Sequence, residues 1–278
     1  MEPTSTGGEP QHKLKQVVPA VWGRESVWMD PRLDFRRAVP LRKSYIVASS
    51  YRCGSTFFCS KLWGTGILGA PAEYLNAGAG RMTRNFMMRR LRVDTPEHYF
   101  AKLLGRRTSK NGVFGMKVHF PHFEAAMSWY PPILQVLSPV TYIYLNRKDT
   151  LAQAVSMAKA MQTDAWQPWD EEVSTTLNYN GPLIAQCLRE LHQQKLGWLQ
   201  WFEANGITPL LVHYEDLVAD AASVTHSIVE LLDVANDEPE QIALPVLEKQ
   251  GDQRNLEWRD RFQRAAPDWE SWFPLPDL

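Results

Sequence analysis

The chain has 278 residues, 44% of them hydrophobic and 22% charged, with a formal net charge of −1 at neutral pH; that length suits one α/β catalytic core with insertions, and nothing in the composition asks for a second domain. A charge so near zero gives no general attraction to nucleic acid or to an anionic membrane, so any anion site must be local. No run of about 18 apolar residues exists to cross a bilayer, and MEPTSTGGEPQHKLKQ lacks the apolar centre of a signal peptide, so the expected setting is cytoplasmic.

Residues 1–12 are polar and rich in Gly, Pro, Ser and Thr, a composition expected to stay disordered. Residues 13–43 carry Val17, Val18, Val21, Trp22, Trp28, Leu33 and Phe35 among prolines and arginines. They read as an irregular arm that covers this domain or a partner subunit. The catalytic domain is then expected over 44–278. It opens with SYIVASS (44–50), a β-rich run ending in the turn YRCGS and leading into an amphipathic stretch at 55–66. Further strands are predicted at GVFGMKVHF (112–120), VTYIYLN (140–146) and TPLLVHY (208–214). Helices are predicted from Asp149 to about Gln162, over 176–206 with a stop at Asn205-Gly206, and over 221–233. LEKQGDQRN (247–255) reads as a polar loop. Short apolar strands alternating with helices imply an α/β fold with a parallel β-sheet flanked by helices, doubly wound and suited to a nucleotide. Cys53, Cys59 and Cys187 have neither metal-ligand spacing nor an even secreted framework, and read as free thiols of a reducing compartment.

The strand–YRCGST–helix junction is the most informative local feature. A glycine turn into a helix aims backbone N–H groups and the positive end of the helix dipole at one point, where an anion belongs. Arg52 adds a guanidinium beside Gly54, Cys53 contributes its amide, and Ser55 and Thr56 add hydroxyls. The loop is not GxxxxGK[ST]: it is shorter and no lysine follows the glycine, which disfavours ATP hydrolysis. By itself such a junction is equally compatible with an ordinary helix cap. A second anion position is suggested by Arg147 and Lys148 at the end of the third strand and Ser156 two turns into the next helix; the plainer alternative is a solvated turn with Asp149 as cap.

These residues resemble the PAPS-dependent sulfotransferases, in particular the bacterial Stf0-type branch, over roughly 44–265. SYIVASSYRCGSTFFC follows the family's SYxLxxxPRSGSTxLC, with Tyr51 in place of proline and Cys53 in place of serine. GAPAEYLN (69–76) is similar to GxPxEYF, and Phe114 to Lys117 to FGxK. Arg147, Asp149, Gln153, Ala154, Ser156, Ala160, Gln162, Thr163 and Trp166 follow RxDxxxQAxSxxxAxQTxxW. Tyr214, Glu215 and Leu217 match YExL, and Lys249, Gln250, Asp252, Glu257 and Trp258 a late KQxD…EW segment.

The resemblance implies a P-loop-like sulfotransferase fold and transfer of a sulfuryl group from PAPS (3′-phosphoadenosine-5′-phosphosulfate, leaving PAP) to a hydroxyl of a small carbohydrate or glycolipid acceptor, without a metal. A non-sugar alcohol or amine acceptor, or a catalytically silent PAP-binding protein, remains an alternative. It further implies that Arg52 and residues 53–56 hold the 5′ end, and that Arg147 and Ser156 hold the 3′-phosphate. Tyr214, Lys249 and Arg254 are expected near the nucleotide, and Tyr74, Lys117, Gln162 and Trp166 near the acceptor. Glu73 is the first candidate for the base, with His119 in KVHFP (117–121) the second. His119 and His122 lack further ligands for zinc. Trp63, Trp166 and Trp169 are candidates for stacking on a sugar face. Relatives in the family are often homodimers, so a homodimer is the implied assembly.

Overall fold

A computed structural model describes residues 30–35, 38–77, 83–166, 177–235, 237–238 and 253–274. Four parallel strands, β1 (Lys43–Ser49), β2 (Val113–His119), β3 (Val140–Asn146) and β4 (Leu210–His213), form a sheet in the order β2-β1-β3-β4. In register, Ser49 at the end of β1 lies beside His119 of β2 and Leu145 of β3. The helices are α1 (Ser55–Gly64), α2 (Thr83–Leu91), α3 (Pro96–Arg107), α4 (Phe120–Trp129), α5 (Ile133–Val136), α6 (Thr150–Thr163), α7 (Gly181–Ala204), α8 (Tyr214–Ala219), α9 (Ala221–Leu231) and α10 (Gln253–Ala265).

The strands are apolar throughout because both faces of the sheet are covered. Their side chains alternate between two cores, as a period of two requires. Ile46, Ala48, Phe114, Met116, Val118, Tyr142 and Tyr144 face Phe100, Phe123, Trp198 and Phe202 from α3, α4 and α7. Tyr45, Val47, Ile143, Leu145 and Val212 face Phe58 and Leu62 of α1 and Ile228 and Val229 of α9. A third cluster joins α6, α7 and α10 through Leu151, Val155, Leu188, Trp258 and Phe262. Within the described part of the arm, Phe35 enters the first core, and Asp34 pairs with Arg90 and with the fully buried Arg107.

β3 and α6 fall within a residue of their expected limits, and β4 is shorter, at four residues. β2 stops at His119, where Pro121 in the first turn of α4 starts a helix. α7 begins later than its pattern suggests, because Asn180 caps it through Leu183 N at 3.0 Å and a proline occupies its first turn. One reading is corrected: the polar stretch at 247–255 runs into helix at Gln253, which is fastened to α6 and α7 by Trp258 and Phe262. The expected disorder of 1–12 lies outside the described residues.

Candidate active site

The chain passes from β1 to β2 on one side and from β3 to β4 on the other. The gap between the carboxyl ends of β1 and β3 is therefore a topological switch point, where open parallel sheets bind ligands. The turn after β1 lies there, with Arg52 and Gly54 both in left-handed backbone conformations (φ 60° and 84°). At Gly54 a side chain is excluded twice over: the conformation disfavours one, and a Cβ would come within 2.4 Å of the Tyr214 ring. α1 accordingly starts from a residue without a capping side chain. The turn is fixed from behind by two buried amides: Gln153 Nε2 donates to Ser50 Oγ (2.9 Å) and Tyr51 O (2.5 Å), and Gln194 Oε1 accepts from Tyr51 N (3.1 Å).

On the β3 side the site is cationic. Arg52 Nε donates to Ser156 Oγ at 3.0 Å and its Nη1 to Trp166 O at 2.5 Å. Arg147 lies 4.7 Å over the Tyr214 ring and donates to Arg52 O at 3.4 Å, while its Nε is buried without a hydrogen-bond partner. Burial, and then the neighbouring Arg147, push Arg52 down to about 10. Glu215 accepts from the amides of Lys148 and Asp149 at 3.1–3.3 Å; these bonds outweigh its desolvation and hold its carboxyl below the usual range. Crowded guanidiniums with an orphaned buried donor, beside a helix start lacking a capping side chain, make an arrangement that fits a bound phosphate or sulfate ester.

On the β2 side the charges compensate one another. Lys117 Nζ lies 2.6 Å from Glu73 Oε1 and donates to Thr56 Oγ1 at 3.0 Å, so it ties the carboxylate to the turn after β1. Asn76 Nδ2 donates to Glu73 Oε2 at 2.8 Å, and His119 Nε2 stands 3.7 Å from Glu73 Oε1. Burial alone would raise Glu73, but Lys117 and the two histidines overcome it and hold the carboxyl well below its usual range. His119 Nδ1 is 3.0 Å from Ser49 Oγ. The Tyr51 ring packs edge-on against His119, His122 and Trp166, with its hydroxyl 3.2 Å from His122 Nε2. Burial pushes His122 down to about 4 and Tyr51 up to about 12.

The structure brings Arg52, Gly54, Ser55, Thr56, Glu73, Lys117, His119, Arg147, Ser156, Trp166 and Tyr214 to the strand ends. Several expectations are corrected. Arg52 points to Ser156 and Trp166, so the two anion positions read separately are one continuous patch. The Cys53 side chain is buried in the core, which is consistent with the expectation that only its amide could serve a ligand. Tyr74 is fully buried, stacked on Phe114 with its hydroxyl on Ala70 O, and does not face the cleft. Trp63 is likewise core, near Arg107. Arg254 is exposed in the first turn of α10, and Gln162 accepts from Asn178 N at 3.2 Å. Lys249 and Trp169 lie outside the described residues. Sequence reasoning missed Gln194 and Lys195 of α7, which carried no signal beyond a helical stretch, and Asn76, which stands inside the GAPAEYLN segment.

No group of three or more His, Cys, Asp or Glu able to hold a metal occurs among the described residues, and none of the described helices is long and apolar enough to cross a membrane. A parallel sheet whose switch point carries clustered guanidiniums next to a lysine–carboxylate–histidine group is the framework of an anion-handling α/β enzyme. The chain belongs to the Stf0 sulphotransferase family, whose model matches residues 44–265. It is 28% identical over 262 residues to the trehalose 2-sulfotransferase of Mycobacterium tuberculosis (strain Erdman), covering 81% of this chain and 96% of that one. The trehalose 2-sulfotransferase of Mycolicibacterium smegmatis is 27% identical over 264 residues, covering 80% and 95%. Among solved structures, the sulfotransferase domain from the Synechococcus PCC 7002 olefin synthase superposes with a TM-score of 0.46 at 20% identity, covering 88% and 92% of the two chains.

Proposed function

We propose that this sulfotransferase uses PAPS as donor and sulfates a hydroxyl of a small carbohydrate. The observation that carries this reading is the position of Lys117, which joins Glu73 at 2.6 Å to Thr56 at 3.0 Å. One ammonium thus links the candidate base to the anion turn, where transfer between a nucleotide and a hydroxyl would have to occur. The sugar acceptor is supported by the two relatives, each named a trehalose 2-sulfotransferase.

PAPS supplies the sulfuryl group and leaves as PAP, in an in-line displacement through a loose transition state akin to phosphoryl transfer. The protein's part is placement and charge stabilisation. Arg52, Arg147 and the amides of the 53–56 turn gather positive charge at the switch point. Glu73 stays ionised at neutral pH, and a carboxylate has about four lone-pair sites, so its contacts with Lys117 and Asn76 leave room to receive an acceptor hydroxyl. A weakly basic carboxylate suffices because bond formation to the nucleophile is slight in a loose transition state. His119, between Ser49 and Glu73, orients that carboxylate and is the second candidate base.

The test has two arms. Thermal melts with PAP, ATP and AMP should show a strong rise with PAP alone; equal rises with all three would refute the donor. Incubation with PAPS and a panel of disaccharides, non-sugar alcohols and amines, read by the mass gain of one sulfuryl group, should mark the disaccharides. Sulfation confined to the other compounds would overturn the carbohydrate reading.

A further inference from the structure

Lys195 lies on α7, outside every motif that led to the site, and is only 2% exposed. Its ammonium donates to Arg147 O at 3.0 Å and to Thr150 Oγ1 at 2.8 Å. Those two residues bracket the turn from β3 into α6, and Glu215 of α8 holds the amides of Lys148 and Asp149 between them. The turn is thus gripped at a carbonyl by a cation and at two amides by a carboxylate. Packing alone does not call for a charge here: an unbranched apolar side chain would fill the same space without the desolvation that a buried ammonium incurs.

We infer that Lys195 is a positioning residue of the donor site: it fixes the β3–α6 turn so that Arg147 faces the bound anion, and it places a third positive charge behind Arg52 and Arg147. The inference rests on the reading of PAPS as donor. Arg147 has little else to aim it, since its guanidinium lies over Tyr214 with one long bond to Arg52 O and a buried Nε that makes no hydrogen bond. Its direction follows from its backbone, which Lys195 holds.

The same geometry makes donor binding sensitive to pH. Burial first, with Arg147 adding to it and Glu215 opposing, brings Lys195 down to about 8, so the ammonium is lost as pH rises through that value. A bound anion favours the charged form, and by linkage affinity for the anion falls as that charge disappears. The titratable and charged groups near Lys195 are Arg147 after β3, Glu215 of α8, Cys53 of the loop after β1 and His192 on its own helix; in the turn it holds, Asp149 pairs with Arg259 of α10 at 2.9 Å and the Lys148 ammonium lies 3.9 Å from Asp216. Among them, Glu215 is held down and ionised, His192 is lowered and neutral, and Cys53 is raised and protonated, so these three keep their charge between about pH 7 and 8.5. The phosphates of PAP lose their second proton with a midpoint near pH 6, so they are about nine-tenths ionised before that window begins.

The experiment is calorimetric titration of PAP into the wild-type chain, Lys195→Met and Lys195→Arg at pH 7.0 and 8.5, with ligand-free melts as a folding control and steady-state KM and kcat for PAPS. The wild-type chain is expected to bind PAP roughly threefold more weakly at the higher pH, and Lys195→Met about tenfold more weakly at pH 7 with no further loss. Lys195→Arg, which keeps its charge, should recover most of the affinity and hold it to pH 8.5, and the Met variant should raise KM for PAPS more than it lowers kcat. A folded Lys195→Met chain with wild-type affinity and slope overturns the inference and leaves the donor reading intact. If the Met variant does not fold, equal pH slopes in wild type and Lys195→Arg overturn it. Absence of PAP binding to the wild-type chain overturns the donor reading and the inference together.

Discussion

The two flanks of β1 handle charge in opposite ways. Toward β2, Lys117 meets Glu73, Glu73 meets Asn76 and His119, and Tyr51 meets His122, so the charges are matched within the protein, although His122 Nδ1 is buried without a hydrogen-bond partner. Toward β3, Arg52, Arg147 and Lys195 crowd together on hydroxyls and carbonyls, with Arg147 Nε left over. A compensated cluster holds its geometry with or without a ligand, as a proton acceptor requires. A cluster with positive charge in excess, of which Glu215 offsets only part, is stabilised when an anion arrives, as a donor site requires. Arg52 belongs to the turn after β1 yet reaches across to Ser156, which joins the two flanks.

The largest effect expected from breaking this contrast is on the compensated side. Glu73→Gln keeps the shape and the contact with Asn76 but removes the proton acceptor, and kcat should fall by roughly 10²–10⁴-fold while PAP affinity changes little. His119→Asn should cost about tenfold, since it loses only the group that orients the carboxylate. The reverse order in steady-state rates would make His119 the base.

How much of this was legible beforehand depended on the range over which each feature is determined. β1, β2 and β3 are short apolar runs closed by turn residues, so local pattern marks them. α2 was missed because TRNFMMRRL mixes arginines into a short helix, and α10 because two buried residues, Trp258 and Phe262, hold an otherwise polar segment to distant helices. The motif order placed Glu73, Lys117, Arg147 and Ser156 in one site, but it could not say which way side chains turn. Glu73 and Tyr74 are neighbours in an irregular segment, and one faces the cleft while the other enters the core. Lys195 was invisible for the same reason: its partners are 48 and 45 positions away.

The next expected effect is on stability, and again concerns the β2 side. His122 is held near 4, below the 6.5 of an exposed histidine. The unfolded chain therefore binds a proton that the folded chain refuses; the stability involved is fully present above about pH 6.5 and is lost as pH falls toward 4, by roughly 3 kcal/mol. His122→Gln keeps a polar partner for Tyr51 and should flatten that part of the profile. Urea titrations of both proteins between pH 7 and 4.5 that run parallel would show that His122 accepts the proton in the folded state.

On the cationic side, Arg147→Ala should weaken PAP binding by about ten- to a hundredfold, the loss expected for a hydrogen bond to a charged group, with the folded state little changed. Fluorescence or calorimetric titration with PAP measures it. An unchanged affinity would mean that the anion lies elsewhere than between β1 and β3, and the contrast between the flanks would have no functional meaning.

The smallest effect sought is at Ser156, and it asks on which flank Arg52 acts. Its hydroxyl accepts from Arg52 Nε at 3.0 Å. If that contact persists with donor bound, Ser156→Ala loses one hydrogen bond within the anion patch, and KM for PAPS should rise about threefold with kcat nearly constant. If Arg52 leaves Ser156 to face the start of α1, the substitution removes a contact present only before binding, and KM should stay level or fall. The ratio of the two kinetic constants therefore assigns Arg52 to the β3 patch or to the turn that carries it, and the first outcome is the one the half-buried, two-point anchoring on Ser156 and Trp166 favours.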